Sequence, residues 1–343
     1  MILLRRRACA RAGLLGNPSD GFHGKTLSLI VRDFFAEVVL YSWEDVELIL
    51  SQEDQSRFGS IRELADDVSL HGYYGGIRLV KATIKKFVDF CDLCGYELHD
   101  RNFSIRYQSN IPRQVGLAGS SAIIIATLRA LMDFYEIEIP PRIQPSLALS
   151  VETEELGIAG GLQDRVIQVY EGLVYMDFSQ EQSESIRGFE CGTYEPLDIQ
   201  VLPENLYLAF STDVSEPTEL THGPLRARYN HGDQEVVSAM DEFADCALAG
   251  RQALLDGDHQ RLHELIDANY DIRARVCDLS RSHIEMVASA REVGASAKFC
   301  GSGGAIIGNF ADQEMFERLR ANLSWCQVLR PQVQLPMPET DDA

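Results

Sequence analysis

The stretch Pro112-Arg113-Gln114-Val115-Gly116-Leu117-Ala118-Gly119-Ser120-Ser121-Ala122 constrains this chain more than any other part of it. A glycine- and serine-rich turn runs straight into an Ala/Ile-rich segment that reads as a helix over Ala122–Met132. Glycines let backbone N–H groups crowd around an anion without side-chain clashes. The helix start adds unpaired donors and a partial positive charge. Serine hydroxyls can bond a phosphate oxygen or a magnesium ion. The guest this implies is the phosphate tail of a nucleotide. The loop is neither Gly-x-x-x-x-Gly-Lys-Ser/Thr nor Gly-x-Gly-x-x-Gly. A plain glycine connection with a serine cap would look similar on its own.

Composition narrows the partners. With 343 residues the chain is long enough for two domains. A formal net charge of −21 disfavours nucleic acid and anionic membrane surfaces. An acidic protein that takes a nucleotide needs local cations, which makes arginines and lysines near the motifs informative. Eight cysteines are scattered, and Cys91 and Cys94 form a lone C-x-x-C without a companion pair, which argues against zinc and fits free thiols in a reducing cytosol. The apolar run Met1–Leu4 is too short for a signal-peptide core, and no run approaches a membrane span, so a cytoplasmic location is expected.

The periodicity predicts a mixed pattern. Thr26–Tyr41 and Asn102–Tyr107 read as strands, and Ile61–Tyr74 holds a glycine-rich turn. Gly76–Cys94 reads as a helix with Ile77, Val80, Ile84, Phe87, Val88 and Cys91 on its apolar face. Gln144–Leu156 reads as a helix with Pro145 in its first turn. A helical turn at Arg165–Tyr170 leads to a strand at Gly172–Asp177. Polar Glu181–Glu195 is the expected domain junction, giving units 1–190 and 191–343. Beyond it come a strand at Leu206–Phe210, helices at Glu235–Leu255, Gln260–Cys277 and Ser282–Val293, a strand at Ile306-Ile307, and a frayed acidic tail at Pro336–Ala343.

Two further segments flank the phosphate loop. One is Arg11-Ala12-Gly13-Leu14-Leu15-Gly16-Asn17-Pro18-Ser19-Asp20-Gly21-Phe22-His23-Gly24-Lys25; the other is Lys298-Phe299-Cys300-Gly301-Ser302-Gly303-Gly304-Ala305-Ile306-Ile307-Gly308. The three in this order resemble the GHMP kinase superfamily, named for galactokinase, homoserine kinase, mevalonate kinase and phosphomevalonate kinase. The pattern Pro-x-x-x-Gly-Leu-x-Gly-Ser-Ser-Ala is the most specific of the three. Within the superfamily, Tyr73-Tyr74-Gly75-Gly76, Asn110-Ile111-Pro112-Arg113-Gln114, Gly161-Leu162-Gln163-Asp164-Arg165-Val166 and Val174-Tyr175-Met176-Asp177-Phe178 resemble the glucuronokinases, as does Gly16–Gly21 followed by Gly24-Lys25-Thr26. Most superfamily members carry Gly-Glu-His where this chain has Gly16-Asn17-Pro18, which weakens any transfer of galactose specificity.

The resemblance implies an α+β, two-domain GHMP kinase fold: a ribosomal protein S5 domain 2-like N-terminal domain, with the phosphate loop and catalytic aspartate, and a ferredoxin-like C-terminal domain. It implies ATP and Mg2+ as cofactors and a small-molecule sugar as partner; from the charge and the short apolar runs no nucleic acid and no membrane are expected, and the assembly expected is a monomer or homodimer. Pro112, Gly116, Leu117, Ala118, Gly119, Ser120 and Ser121 would hold the triphosphate. One of the two serines would join Glu152 on magnesium. Ser121 is carried forward, and Glu154 and Glu155 compete with Glu152. Asp164 would orient or deprotonate the acceptor hydroxyl, with Arg11 as its cationic partner and Lys25 competing for that role or touching substrate. Asp20 matches the aspartate that holds sugar hydroxyls, with Asn17 and Ser19 adding weaker contacts. Gly303 and its glycine turn would back the pocket. A uronate carboxylate needs an arginine or a helix start. Arg113, Arg165 and Arg273 are the candidates, and Asn269-Tyr270-Asp271-Ile272-Arg273 also resembles glucuronokinase.

The leading expectation is an ATP-dependent kinase for the anomeric hydroxyl of a uronic acid, D-glucuronate foremost. The alternatives are another acceptor (galacturonate, galactose, a heptose phosphate, mevalonate or homoserine) and a non-catalytic sugar sensor on the same fold. The segment Thr212–Gly223 departs from the plant-type pattern and bears on which sugar is taken.

Overall fold

The computed structural model describes residues 2–49, 76–211 and 222–334. The glycine-rich turn expected within Ile61–Tyr74, most of Thr212–Gly223 and the tail Pro336–Ala343 lie outside them.

Two long strands frame the first sheet. β1 (Leu3–Leu15) runs antiparallel to β2 (Lys25–Trp43) along nearly its whole length. β1 was not expected as a strand, because its arginines mask the apolar alternation. Cross-strand partners absorb them: Arg7 lies opposite Glu37, donates to it at 2.6 Å, and stacks over Phe35. β2 pairs through its second half with β4 (Asn102–Ser109) and through its first half with β5 (Leu173–Asp177). With the short β3 (Glu47–Leu48) and β8 (Thr193–Leu197) it makes a six-stranded sheet. The polar stretch Glu181–Glu195 thus folds as a hairpin of β6 (Glu184–Ile186) and β7 (Phe189–Cys191) that leads into an outer strand of this sheet. Its polarity is that of an edge open to water.

Helices cover one face of that sheet. α1 (Gly76–Cys94) buries Leu79, Val80, Ala82, Thr83, Phe87, Phe90 and Cys91, so the apolar stripe is rotated from the one expected, and Val88 is exposed. α2 (Gly119–Tyr135) follows the phosphate loop and is apolar on nearly every side because it lies between α1 and the sheet. α3 (Gln144–Ser150) starts with Pro145 in its first turn as expected, then widens into a π-helical turn over Val151–Glu155. α4 (Gln163–Tyr170) precedes β5.

The second sheet has the order β10 (Lys298–Phe299), β11 (Ala305–Asn309), β9 (Leu206–Ser211), β12 (Cys326–Leu329), all antiparallel. With it come α5 (His222–Asn230), α6 (Gln234–Leu255), α7 (His259–Val276), α8 (Arg281–Glu292) and α9 (Gln313–Asn322). A separate core of Tyr207, Met286, Val287, Phe299, Ile306 and Phe310 underlies it. The architecture is α+β. The sheets meet where Gly13 of β1 donates its amide to the Cys300 carbonyl at 2.8 Å, which sets the glycine turn after β10 against the phosphate loop. Among the described residues no helix is long and apolar enough to cross a membrane.

Candidate active site

Four segments converge: the turn after β1, the phosphate loop, the start of α4 and the turn after β10. Each is shaped by a glycine or left-handed residue. Ala118 takes φ 63° at the entrance to α2, a conformation L-residues adopt at a cost. Its carbonyl accepts from the Gln168 side chain of α4 at 2.9 Å, which fixes the loop. Gly116 has φ +74°, and a Cβ there would sit 2.9 Å from the Ser302 amide. Only glycine lets the two turns pack this closely.

Arg11 ties the site together. Its side chain is 6% exposed, and its Nε donates to Asp164 Oδ1 at 2.7 Å. Its Nη1 reaches the carbonyls of Gly116 at 2.5 Å and Cys300 at 3.2 Å. One guanidinium therefore joins the phosphate loop, the second glycine turn and Asp164. Lys25, the competitor for this role, ion-pairs with Asp177 at 3.5 Å, its register partner on β5.

Asp164 lies in the first turn of α4, one residue inside its start, and is not the cap. Asp20 approaches the same helix start: Oδ2 accepts from the Gln163 amide at 3.2 Å, and a Cβ on Gly161 would lie 2.0 Å from that oxygen. Withdrawal from water, and then the neighbouring Asp164 carboxylate, pushes Asp20 up to about 6. Asn17 and Ser19 turn to the protein instead. Ser19 Oγ donates to the Lys25 carbonyl at 2.9 Å and closes the turn. Asn17 Oδ1 accepts from Lys298.

The π-helical turn separates three glutamates that sequence alone left in competition. Glu154 pairs with Lys86 at 2.6 Å and Glu155 with Lys85 at 2.8 Å, both on α1. Glu152 is 2% exposed and turns inward, where Oε1 accepts from Ser120 Oγ at 2.8 Å and Oε2 meets Arg165. Ser121 is buried and donates to the Ala118 carbonyl at 3.2 Å, so of the two serines Ser120 is the one beside Glu152. Such a pair of hard oxygen donors next to a phosphate loop suits magnesium, which takes one or two carboxylates and completes its shell with phosphate and water.

The arginines expected at a carboxylate are distributed differently. Arg165 lies between Glu152 and Asp164 and donates to the Gly161 carbonyl at 2.7 Å. Arg273 is 3% exposed and clamps the second glycine turn through the carbonyls of Gly301 at 2.6 Å and Ser302 at 2.8 Å. Arg113 is exposed beside Pro112 on the phosphate loop. Gly303, at φ +146°, has the His283 ring where a Cβ would stand, 2.5 Å away.

Lys298 is the residue that sequence reasoning passed over. Its side chain is fully buried, and Nζ donates to Gly13 O at 2.6 Å, Asn17 Oδ1 at 2.5 Å and Phe299 O at 2.8 Å. Burial lowers it to about 7. The only local signal was a lysine opening an otherwise apolar approach to the glycine turn.

Comparison with known proteins agrees with this geometry. Residues 78–172 match the family described as GHMP kinases N terminal domain. The chain is 44% identical over 312 residues to Glucuronokinase 1 of Arabidopsis thaliana, covering 89% of this chain and 84% of that protein. It is 42% identical over 318 residues to Probable glucuronokinase 2 of the same organism, with the same coverages of 89% and 84%. Its fold superposes on Streptococcus pneumoniae phosphomevalonate kinase with a TM-score of 0.72 at 14% identity, over 97% of this chain and 99% of that one. The first three-motif arrangement read from the sequence, the α+β fold and the relatives over most of the length agree, and the chain belongs to the GHMP kinases, in their glucuronokinase branch.

Proposed function

We propose that this protein transfers the γ-phosphoryl group of ATP to the anomeric hydroxyl of D-glucuronate, giving D-glucuronate 1-phosphate. The Arg11–Asp164 pair, set between the phosphate loop and Asp20, supports this reading most directly. The amides of Gly116–Ser121 would hold the triphosphate, and Ser120 with Glu152 would hold magnesium. The metal would neutralise the phosphates as charge moves between them. Asp164 aligns the sugar hydroxyl and takes its proton. The new P–O bond forms as the bond to the β-phosphate oxygen breaks, and ADP leaves. Arg11 holds the Asp164 carboxylate in place through its Nε and offsets charge on the moving group. Asp20 accepts hydrogen bonds from sugar hydroxyls. Asn17 and Ser19 position that turn through their own bonds to the protein.

The test is ADP release with magnesium-ATP against glucuronate, galacturonate, galactose, a heptose 7-phosphate, mevalonate and homoserine. Turnover concentrated on glucuronate is expected. Preference for another acceptor would move the substrate assignment, and ATP binding without turnover on any would favour a sensor.

Two expected results follow from the site. Glu152→Gln removes the carboxylate charge from the Ser120 pair, so half-saturation by magnesium should shift upward about tenfold or more, as loss of one charged ligand implies. An unchanged magnesium titration would remove Glu152 from that role.

The second result concerns pH. Asp20 sits at about 6 in the folded protein against 3.8 for a free aspartate, so its contribution to stability is full below 3.8 and is lost as pH rises through about 6. Sugar hydroxyls donate more strongly to the ionised carboxylate, and with more acceptor sites, than to the protonated acid. The KM for sugar should therefore rise as pH drops below about 6, while the KM for ATP stays level. Asp20→Asn should flatten the sugar profile; a wild-type sugar KM that does not change across that range would contradict the role.

A further inference from the structure

We infer that Arg226 of α5 is the specificity-determining residue that receives the substrate's carboxylate, an inference that rests on the glucuronate reading above. A uronate must enter a site that already holds Asp20, Asp164 and Glu152, which favours an unneutralised cation over a helix start alone as the group that meets its negative charge. Most cations around the site are committed. Arg11 is on Asp164, Arg165 on Glu152, and Lys25 on Asp177. Lys298 and Arg273 spend their donors on backbone carbonyls and Asn17.

Arg226 differs. It is exposed, and no acidic side chain pairs with it among the described residues. Its guanidinium nevertheless has a defined position, stacked 4.2 Å over the ring of Phe22. Tyr229, one helical turn further along α5, packs on the same ring at 4.8 Å. Phe22 ends the 3-10 turn Ser19–Phe22 that carries Asp20, so α5 is docked on the sugar turn through these two contacts. Gly21, between Asp20 and Phe22, makes room for the cation: a Cβ there would lie 2.9 Å from Arg226 Nη2. The charges that act on Asp20 are those of Asp164, Arg11 and Arg165, which leaves Arg226 outside the catalytic ion pairs. The neighbouring Arg228 points elsewhere, to Asp233, Glu235 and the Val276 carbonyl. A planar guanidinium held on an aromatic face against the turn that carries Asp20 is suited to take a carboxylate with two parallel hydrogen bonds.

The experiment compares kcat/KM for glucuronate and for glucose, which has a neutral hydroxymethyl group at the same carbon, in wild type, Arg226→Gln and Arg226→Lys. Loss of a charge-assisted contact predicts a fall of about 10- to 100-fold in the glucuronate-to-glucose ratio for Arg226→Gln, carried by the KM for glucuronate, with the KM for ATP unchanged. Arg226→Lys keeps the charge without the fork and should recover part of the ratio. A ratio equal to wild type in both variants overturns the assignment of Arg226 while leaving the kinase reading intact. Wild type that favours a neutral sugar overturns the glucuronate reading itself, and the carboxylate assignment falls with it.

Discussion

Asp164→Asn should lower kcat by about 10²–10⁴-fold, the range for loss of a positioned general base. That corresponds to about 3–5 kcal/mol of transition-state stabilisation. The amide keeps an oxygen for Arg11 Nε, and the Arg11 bonds to Gly116 O and Cys300 O do not depend on the substitution. The phosphate loop should therefore keep its shape, and the dissociation constant for ATP should change little. Nucleotide titration beside single-turnover kinetics separates the two effects. Turnover within a few-fold of wild type would place the catalytic group elsewhere.

Lys298→Met should destabilise the fold around the site markedly. Methionine fills nearly the same volume, and removing a buried ammonium relieves its desolvation. Against this, the buried acceptors Gly13 O, Asn17 Oδ1 and Phe299 O lose their donor together, and each unsatisfied buried group costs about 1–3 kcal/mol. The acceptors outweigh the relief, and a net loss of about 2–4 kcal/mol in unfolding free energy is expected. Lys298 carries a pH signature that ordinary packing would not. Its value falls from 10.5 in the unfolded chain to about 7 in the folded one, so between these values the unfolded state binds more protons and stability gains as pH rises. Chemical denaturation at several pH values should show that gain shrink in Lys298→Met. An equal pH slope in the two proteins would contradict the account of Lys298. Because Asn17 loses an anchor, the KM for sugar should also rise.

The sequence points to the proposed reacting groups more clearly than to the pocket around them. The phosphate loop, Arg11, Asp164 and Glu152 lie in short glycine-rich or acidic stretches whose residue types already suit phosphate, proton transfer and magnesium. What separates Glu152 from Glu154 and Glu155 is the π-helical turn, and no local pattern announces one extra residue in a helical turn. The polar side chains of Asn17 and Ser19 read as facing a sugar, yet the turn needs them for its own backbone and for Lys298. Lys298, Gln168 and Arg226 were silent for a common reason. Their partners lie far along the chain: Asn17 for Lys298, Ala118 for Gln168 and Phe22 for Arg226. Of the fold, the long helices and β2 followed from periodicity, whereas β1 hid behind arginines whose cross-strand partners only the register reveals.

The most direct measurement is phosphorus and proton NMR of the product formed from magnesium-ATP and glucuronate. The account predicts one new phosphate ester, coupled to the anomeric proton, together with an equal amount of ADP. A phosphate coupled to any other ring proton, or ATP left intact with glucuronate present, would contradict it.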